Sequence, residues 1–83
     1  MLFRPGFKKT FCKDVLQIKH RIIERNLLMI DNGNDLAVIS MTLSIRQDID
    51  NLRLRLANYH KNPDFQRMGL IAIENMKRFE RNM

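Results

Sequence analysis

The residues of this chain that could do chemistry are few: His20, His60, Cys12, Ser40, Ser44, the acid pairs Asp48/Asp50 and Glu74/Glu80, and three glycines. Neither histidine has a cysteine or carboxylate at metal-ligand spacing, so a zinc or di-metal site is not expected. Ser40 and Ser44 sit inside an amphipathic helical pattern, without a nucleophile elbow or an evident base. "DNGND" is too short for a calcium-binding loop and lacks its terminal Glu. The glycines are scattered, so no phosphate-cradling loop is present. Both acid pairs are expected on solvated helix faces. We therefore expect no enzyme, no cofactor and no small-molecule substrate.

What remains is charge. The chain has 83 residues, a formal net charge of +6 and a pI near 10.1, a balance that points to an anionic partner, nucleic acid first and a membrane surface second. Residues 1–30 hold seven Lys/Arg against two acids (+5), residues 31–50 one against four (−3), and residues 51–83 seven against three (+4). A solvated basic surface is the plainer reading of the same numbers. The single cysteine rules out an internal disulfide and fits a reducing compartment or a buried thiol. No apolar run reaches the roughly 18–20 residues that span a bilayer. The abundance of Ile, Asn, Met and Lys suggests an AT-rich genome.

These charges must be positioned by helices. The opening "MLFRPGFKKTFCK" is basic and acid-free, with Pro5 and Gly6 opposing regular structure. Residues 1–9 are read as a basic N-terminal arm and residues 10–83 as one helical domain, with a remnant of a mitochondrial targeting signal as the alternative for the arm. From Thr10, a candidate N-cap, Phe11, Val15, Ile18 and Ile22 recur at steps of four and three. Leu16, Ile23, Leu27 and Ile30 form an adjoining stripe. "DNGND" breaks the run, and Asn34 or Asp35 can cap the next helix.

The second helix carries a sustained seam, Val38, Ile45, Ile49, Leu52, Leu56 and Tyr59, broadened by Leu36, Ile39 and Leu43. Asn62, Pro63 and Asp64 then supply an N-cap, a first-turn proline and a first-turn acid. The third helix is expected to bury Phe65, Met68, Ala72, Met76 and Phe79, with Leu70, Ile71 and Ile73 thickening the stripe. Met41, Met68 and Met76 read as core filler. Gly69 costs this helix about 1 kcal/mol of propensity, so it should serve close approach to a neighbouring helix or to RNA. The fold expected is all-α, an antiparallel bundle of three or four helices.

The order of motifs resembles a known family. "IIER" in the first helix precedes "DNG"; "IDNL" with Leu56, a His-Lys turn, "RMGLIAI" and "KR" come after it. This sequence is similar, over residues 13–81, to small-subunit ribosomal protein fifteen of bacteria and organelles. That family shows Ile-Ile-Glu before an Asp-Thr-Gly-Ser turn, then Ile-Asn-Asn-Leu, a His/Lys-rich turn, Arg-Arg-Gly-Leu and a Lys-Arg-Arg run. Here the stretch from Gly33 to Ile49 is about three residues longer than the family pattern. The family's second-helix Arg aligns with Asp48, half a turn from Arg46. The turn Thr and Ser are Asn32 and Asn34.

The resemblance implies a divergent, mitochondrial member that binds a three-way junction of small-subunit rRNA and an adjacent helix, with neighbouring ribosomal proteins as further partners. Location in another organelle or in a bacterial cytoplasm is the alternative. One implied RNA-binding surface comprises Asn32, Gly33 and Asn34, with Arg46 as a substitute. The other comprises Arg55, Tyr59, His60, Lys61, Asp64, Gln66 and Arg67. Lys77, Arg78 and Arg81 would neutralise phosphates. Against these roles, Tyr59 can simply close the apolar seam, His60 and Lys61 can be ordinary turn residues, and Asp64 has a sufficient reason in capping. A different class of protein also fits: a small helical accessory subunit of a mitochondrial membrane (respiratory) complex, binding no nucleic acid and setting its basic faces against lipid or acidic partners.

Overall fold

The computed structural model describes residues 6–32 and 35–82, apart from the side chain of Asn32. Three helices, α1 (Phe7–Asn32), α2 (Leu36–Ala57) and α3 (Pro63–Arg81), form an all-α bundle in which each helix packs on both others. Among the described residues there is no strand and no helix beyond these three.

The first helix starts three residues before Thr10. The Gly6 carbonyl accepts the Thr10 amide at 3.1 Å and also the Thr10 hydroxyl at 3.3 Å, so Gly6 rather than Thr10 stands at the helix entrance. Phe7 gives the physical reason. It stacks on Tyr59 with ring centroids 4.4 Å apart and an interplanar angle of 17°, so tertiary contact draws the chain into helix earlier than the local signals suggest. The rest of the proposed arm, residues 1–5, lies outside the described residues.

Asp35 occupies the N-cap of α2 in extended conformation, but its side chain makes no cap hydrogen bond. Asn62 does cap α3: its side-chain oxygen accepts the Phe65 amide at 3.0 Å, with Pro63 in the first turn. Gln66, one turn further, donates to the Leu56 and Ala57 carbonyls at 3.1 and 3.2 Å. The start of α3 thereby satisfies the Ala57 carbonyl, which the end of α2 leaves open. It also adds a second donor to the Leu56 carbonyl, which already accepts the Tyr59 amide at 3.0 Å.

The core follows the second-helix seam. Val38, Ile45, Ile49, Leu52 and Leu56 are buried, as are Phe11, Ile18, Ile22, Ile73 and Met76. Gly69 is buried where α3 crosses Leu56. A Cβ at Gly69 would stand 2.8 and 3.0 Å from the Leu56 methyls and 3.2 Å from Phe11 Cζ, so the close approach this glycine permits is to neighbouring helices.

Several expected core positions face outward. Leu16, Ile23, Leu27 and Ile30 on α1, Leu36, Ile39 and Leu43 on α2, and Met68, Leu70, Ile71 and Phe79 on α3 are all exposed. Cys12 is exposed too, so its thiol is not buried. Two apolar stripes run along α1, and a bundle of three helices covers only one of them. In α3 the inward line is Phe65, Gly69, Ile73, Met76 and Glu80, one residue on from Met68, Ala72 and Phe79.

Candidate nucleic-acid interface

The bundle has two ends of different chemistry. At one end, Phe7 and Phe11 of α1 meet Tyr59 and Phe65, with Phe11 and Phe65 edge-to-face at 5.5 Å. The Lys8 ammonium lies 5.6 Å from the Phe65 ring centroid, a cation–π contact. This end carries the α2–α3 turn and all members of the second expected surface.

The members of that surface differ in their engagement. His60 and Lys61 are exposed on the turn, and no carboxylate among the described residues pairs with either. Arg67 reaches Asp64 at 2.6 Å, but both side chains are mostly exposed. Such a pair is worth little in water and is readily exchanged for a phosphate contact. Arg55 pairs with Asp14 of α1 at 3.0 Å. Tyr59 is half-buried against Phe7, and Gln66 is held by the α2 carbonyls. Tyr59, Asp64 and Gln66 thus all have structural work at this turn.

At the other end, α1, α2 and α3 converge on Glu80. Its carboxylate accepts Arg25 Nη1 at 2.7 Å and Arg46 Nε at 2.5 Å, and its backbone carbonyl accepts Arg25 Nη2 at 2.7 Å. Arg25 also donates to Asn26 Oδ1 at 3.1 and 2.8 Å and to Thr42 Oγ1 at 3.3 Å. Those bonds use all five N–H groups of its guanidinium. Arg25 and Glu80 are buried, whereas the Arg46 side chain is 47 % exposed. The expectation that Glu80 is solvated is therefore corrected: two guanidiniums and a helix carbonyl compensate its desolvation.

Burial alone would push the Glu80 carboxyl up. The hydrogen bonds and charges of Arg46 and Arg25 outweigh it, and the group titrates below the ordinary glutamate range. Reciprocally, the hydrogen bond and charge of Glu80 raise Arg46, more than offsetting its slight desolvation. One carboxylate between two guanidiniums leaves this end with a surplus positive charge, and Arg46 keeps outward N–H groups that Glu80 does not use.

The same end holds Lys77, Arg78 and Arg81, all on the last turns of α3. Asn32 closes α1, while Gly33 and Asn34 lie outside the described residues. The structure thus gathers Arg46, Lys77, Arg78 and Arg81 at one end and Arg55 to Arg67 at the other. Along α3, Arg67 and Lys77 are ten residues apart, about 15 Å of helix.

Two further cations belong to neither expected surface. Lys8 stands beside the turn cluster, and Arg53 is exposed seven residues beyond Arg46, on the same side of α2. The seven-residue spacing was the available signal for Arg53. Between α1 and α2 runs a groove of about 630 Å³, bordered by the Arg21–Asp48 and Arg55–Asp14 pairs and lined also by Gln17, Ile18, Asn51 and Leu54. Its charges are already paired. Among the described residues, no group of three His, Cys, Asp or Glu side chains could hold a metal ion.

Compared with known proteins, the chain matches no family model, no curated protein and no solved structure. No helix of the described residues is long and apolar enough to cross a membrane.

Proposed function

We propose that this chain is a structural constituent of a small ribosomal subunit, mitochondrial by its resemblance, that binds a junction of folded rRNA through the two ends of its bundle. The supporting observation is the distribution of uncompensated charge. Arg53, Lys61, Lys77, Arg78 and Arg81 have no carboxylate within ion-pair distance among the described residues. They lie on or beside the two faces that the resemblance marks for RNA. A-form RNA offers a wide, shallow minor groove lined by 2′-OH groups and phosphates, so recognition would rest on shape and backbone contacts. His60 and Lys61, exposed on the α2–α3 turn, would reach ribose and phosphate, as the resemblance also implies for Asn32 and Gly33.

A titration of the chain against a small-subunit junction RNA across salt concentrations tests the reading. Affinity should fall steeply with salt and exceed that for a scrambled duplex. Equal affinity for both RNAs would remove the specific function.

A second reading has its own support. Leu16, Leu27, Leu36 and Leu43 are exposed at 61–79 %, large apolar side chains of the kind that a contact surface uses. An accessory subunit of a mitochondrial respiratory complex would cover them with protein or lipid. Recovery with ribosomal particles, lost after nuclease, favours the first reading; recovery with a detergent-solubilised respiratory complex favours the second.

A further inference from the structure

The outer face of α1 carries a second helical seam that the bundle leaves uncovered. Lys13, Leu16, His20, Ile23, Leu27 and Ile30 follow one another at steps of three, four, three, four and three. That is the a/d spacing by which one helix packs along another. All six are exposed, with Leu16 at 67 %, Leu27 at 61 % and Ile30 at 74 %. A shallow depression of about 550 Å³ lies along its first half, lined by Lys13, Leu16, Gln17, His20 and Arg21.

Charge along this seam is ordered. The N-terminal half has Lys13, and the C-terminal half has Glu24 and Asp31 beside the line. None of these three is engaged in an ion pair among the described residues. Asp14, the nearby acid in the N-terminal half, is turned inward onto Arg55. A parallel copy of the same helix would set Lys13 against Lys13. An antiparallel copy, related by a two-fold axis between Arg21 and Ile22, sets Leu16 opposite Leu27 and His20 opposite Ile23. Lys13 then falls opposite Ile30, next to Asp31, and His20 comes next to Glu24. Each contact occurs twice by symmetry, as an isologous interface requires.

We propose that the outer face of α1 is a self-association surface: two copies of this chain pair antiparallel along it, with Leu27 of each copy seated in the depression beside Leu16 of the other. Complementarity of the seam to itself in one orientation selects a second copy over an unrelated helix. The interface is one helix wide, which places it at the small end of specific interfaces, among weak and transient associations, so the test is centred on a dissociation constant on the order of 100 µM.

Sedimentation velocity over a range bracketing that concentration should show the mass rising from 9.9 kDa towards twice that value. Leu27→Lys should remain a monomer. Lys13→Asp should weaken pairing several-fold, and adding Asp31→Lys should restore it, because both partners are exposed and the swap recreates the contact. A spin label on Cys12, an exposed cysteine on the same side of α1, reads the orientation. In the antiparallel pair Cys12 lies opposite residue 31 of the other copy, so the two labels should sit about 28 Å apart. A monomer at all concentrations, a label separation under roughly 15 Å as a parallel pair requires, or failure of the charge swap to restore pairing would each overturn the proposal. So would a chain that stays monomeric and uses this face only on lipid vesicles. RNA binding by Leu27→Lys is a separate readout, since Leu27 belongs to neither expected RNA surface.

Discussion

Arg25 and Glu80 stand 55 positions apart in the chain, yet their side chains meet at 2.7 Å with each only 2 % exposed. The pair ties the C-terminal half of α1 to the last turn of α3, and Arg46 joins it from α2. Removing one partner of such a pair leaves a buried charge without compensation.

Glu80→Gln should therefore destabilise the fold by about 3–5 kcal/mol, read as a large drop in Tm by circular dichroism. Replacing both partners, Arg25→Met with Glu80→Leu, should recover most of that loss, since two apolar side chains of similar size need no compensation. Arg46 is half-exposed and can turn to solvent in the double variant.

Acid should act through the same carboxylate. Because Glu80 titrates below its unfolded value, its contribution is fully present above the ordinary glutamate range. It is lost as the pH falls through the lower folded value. Denaturant midpoints followed from pH 7 downward should decline on the acid side, and Glu80→Gln should flatten that part of the profile.

Gly69→Ala sets two effects in opposition. Helix propensity improves by about 1 kcal/mol, but the new methyl enters the space of Leu56, which is fully buried, and of Phe11. Overpacking of this kind costs about 1–3 kcal/mol, so a net loss is expected in urea unfolding. A gain would mean that α2 and α3 can move apart at this crossing.

The two helix entrances should respond differently to alanine. Asn62→Ala removes the bond to the Phe65 amide and should cost about 1 kcal/mol. Asp35→Ala, at a cap without such a bond, should cost only its smaller interaction with the helix dipole. Thermal melts of the two variants side by side give the comparison.

If the bundle ends bind RNA, replacing Arg78 and Arg81 together by alanine should lower the slope of log affinity against log salt by about two. The circular dichroism spectrum should stay unchanged, since both residues are exposed and outside the ion pairs. An unchanged slope would take these residues out of the interface.

How far the sequence could be read depended on the element. From Ser44 onward the seam of α2 is flanked mostly by polar residues, so its inward face was legible there, whereas Leu36, Ile39 and Leu43 obscured it in the N-terminal half and face outward. Asn62, Pro63 and Asp64 are local chemistry and needed no tertiary knowledge. In α1 two apolar stripes obey the same three-and-four spacing, and spacing alone cannot say which one meets α2 and α3. The Arg25–Glu80 pair was hidden because charged residues are expected outside. Yet Arg25 continues the inward steps of Phe11, Val15, Ile18 and Ile22, and Glu80 continues those of Gly69, Ile73 and Met76. Opposite charges at inward positions of two helices were the signal. The RNA surfaces came from resemblance rather than pattern, and several of their residues have internal partners that only the folded chain displays.

Phe65 and Glu80 fasten the two ends of α3 by unlike means, ring packing at one and charge at the other. Protonating the carboxylate releases the ionic end while the rings stay closed. Cooling weakens apolar association and leaves the guanidinium contacts in place. Acid thus loosens the bundle first at the Glu80 end, whereas cold weakens the whole apolar core, the ring cluster at Phe65 included.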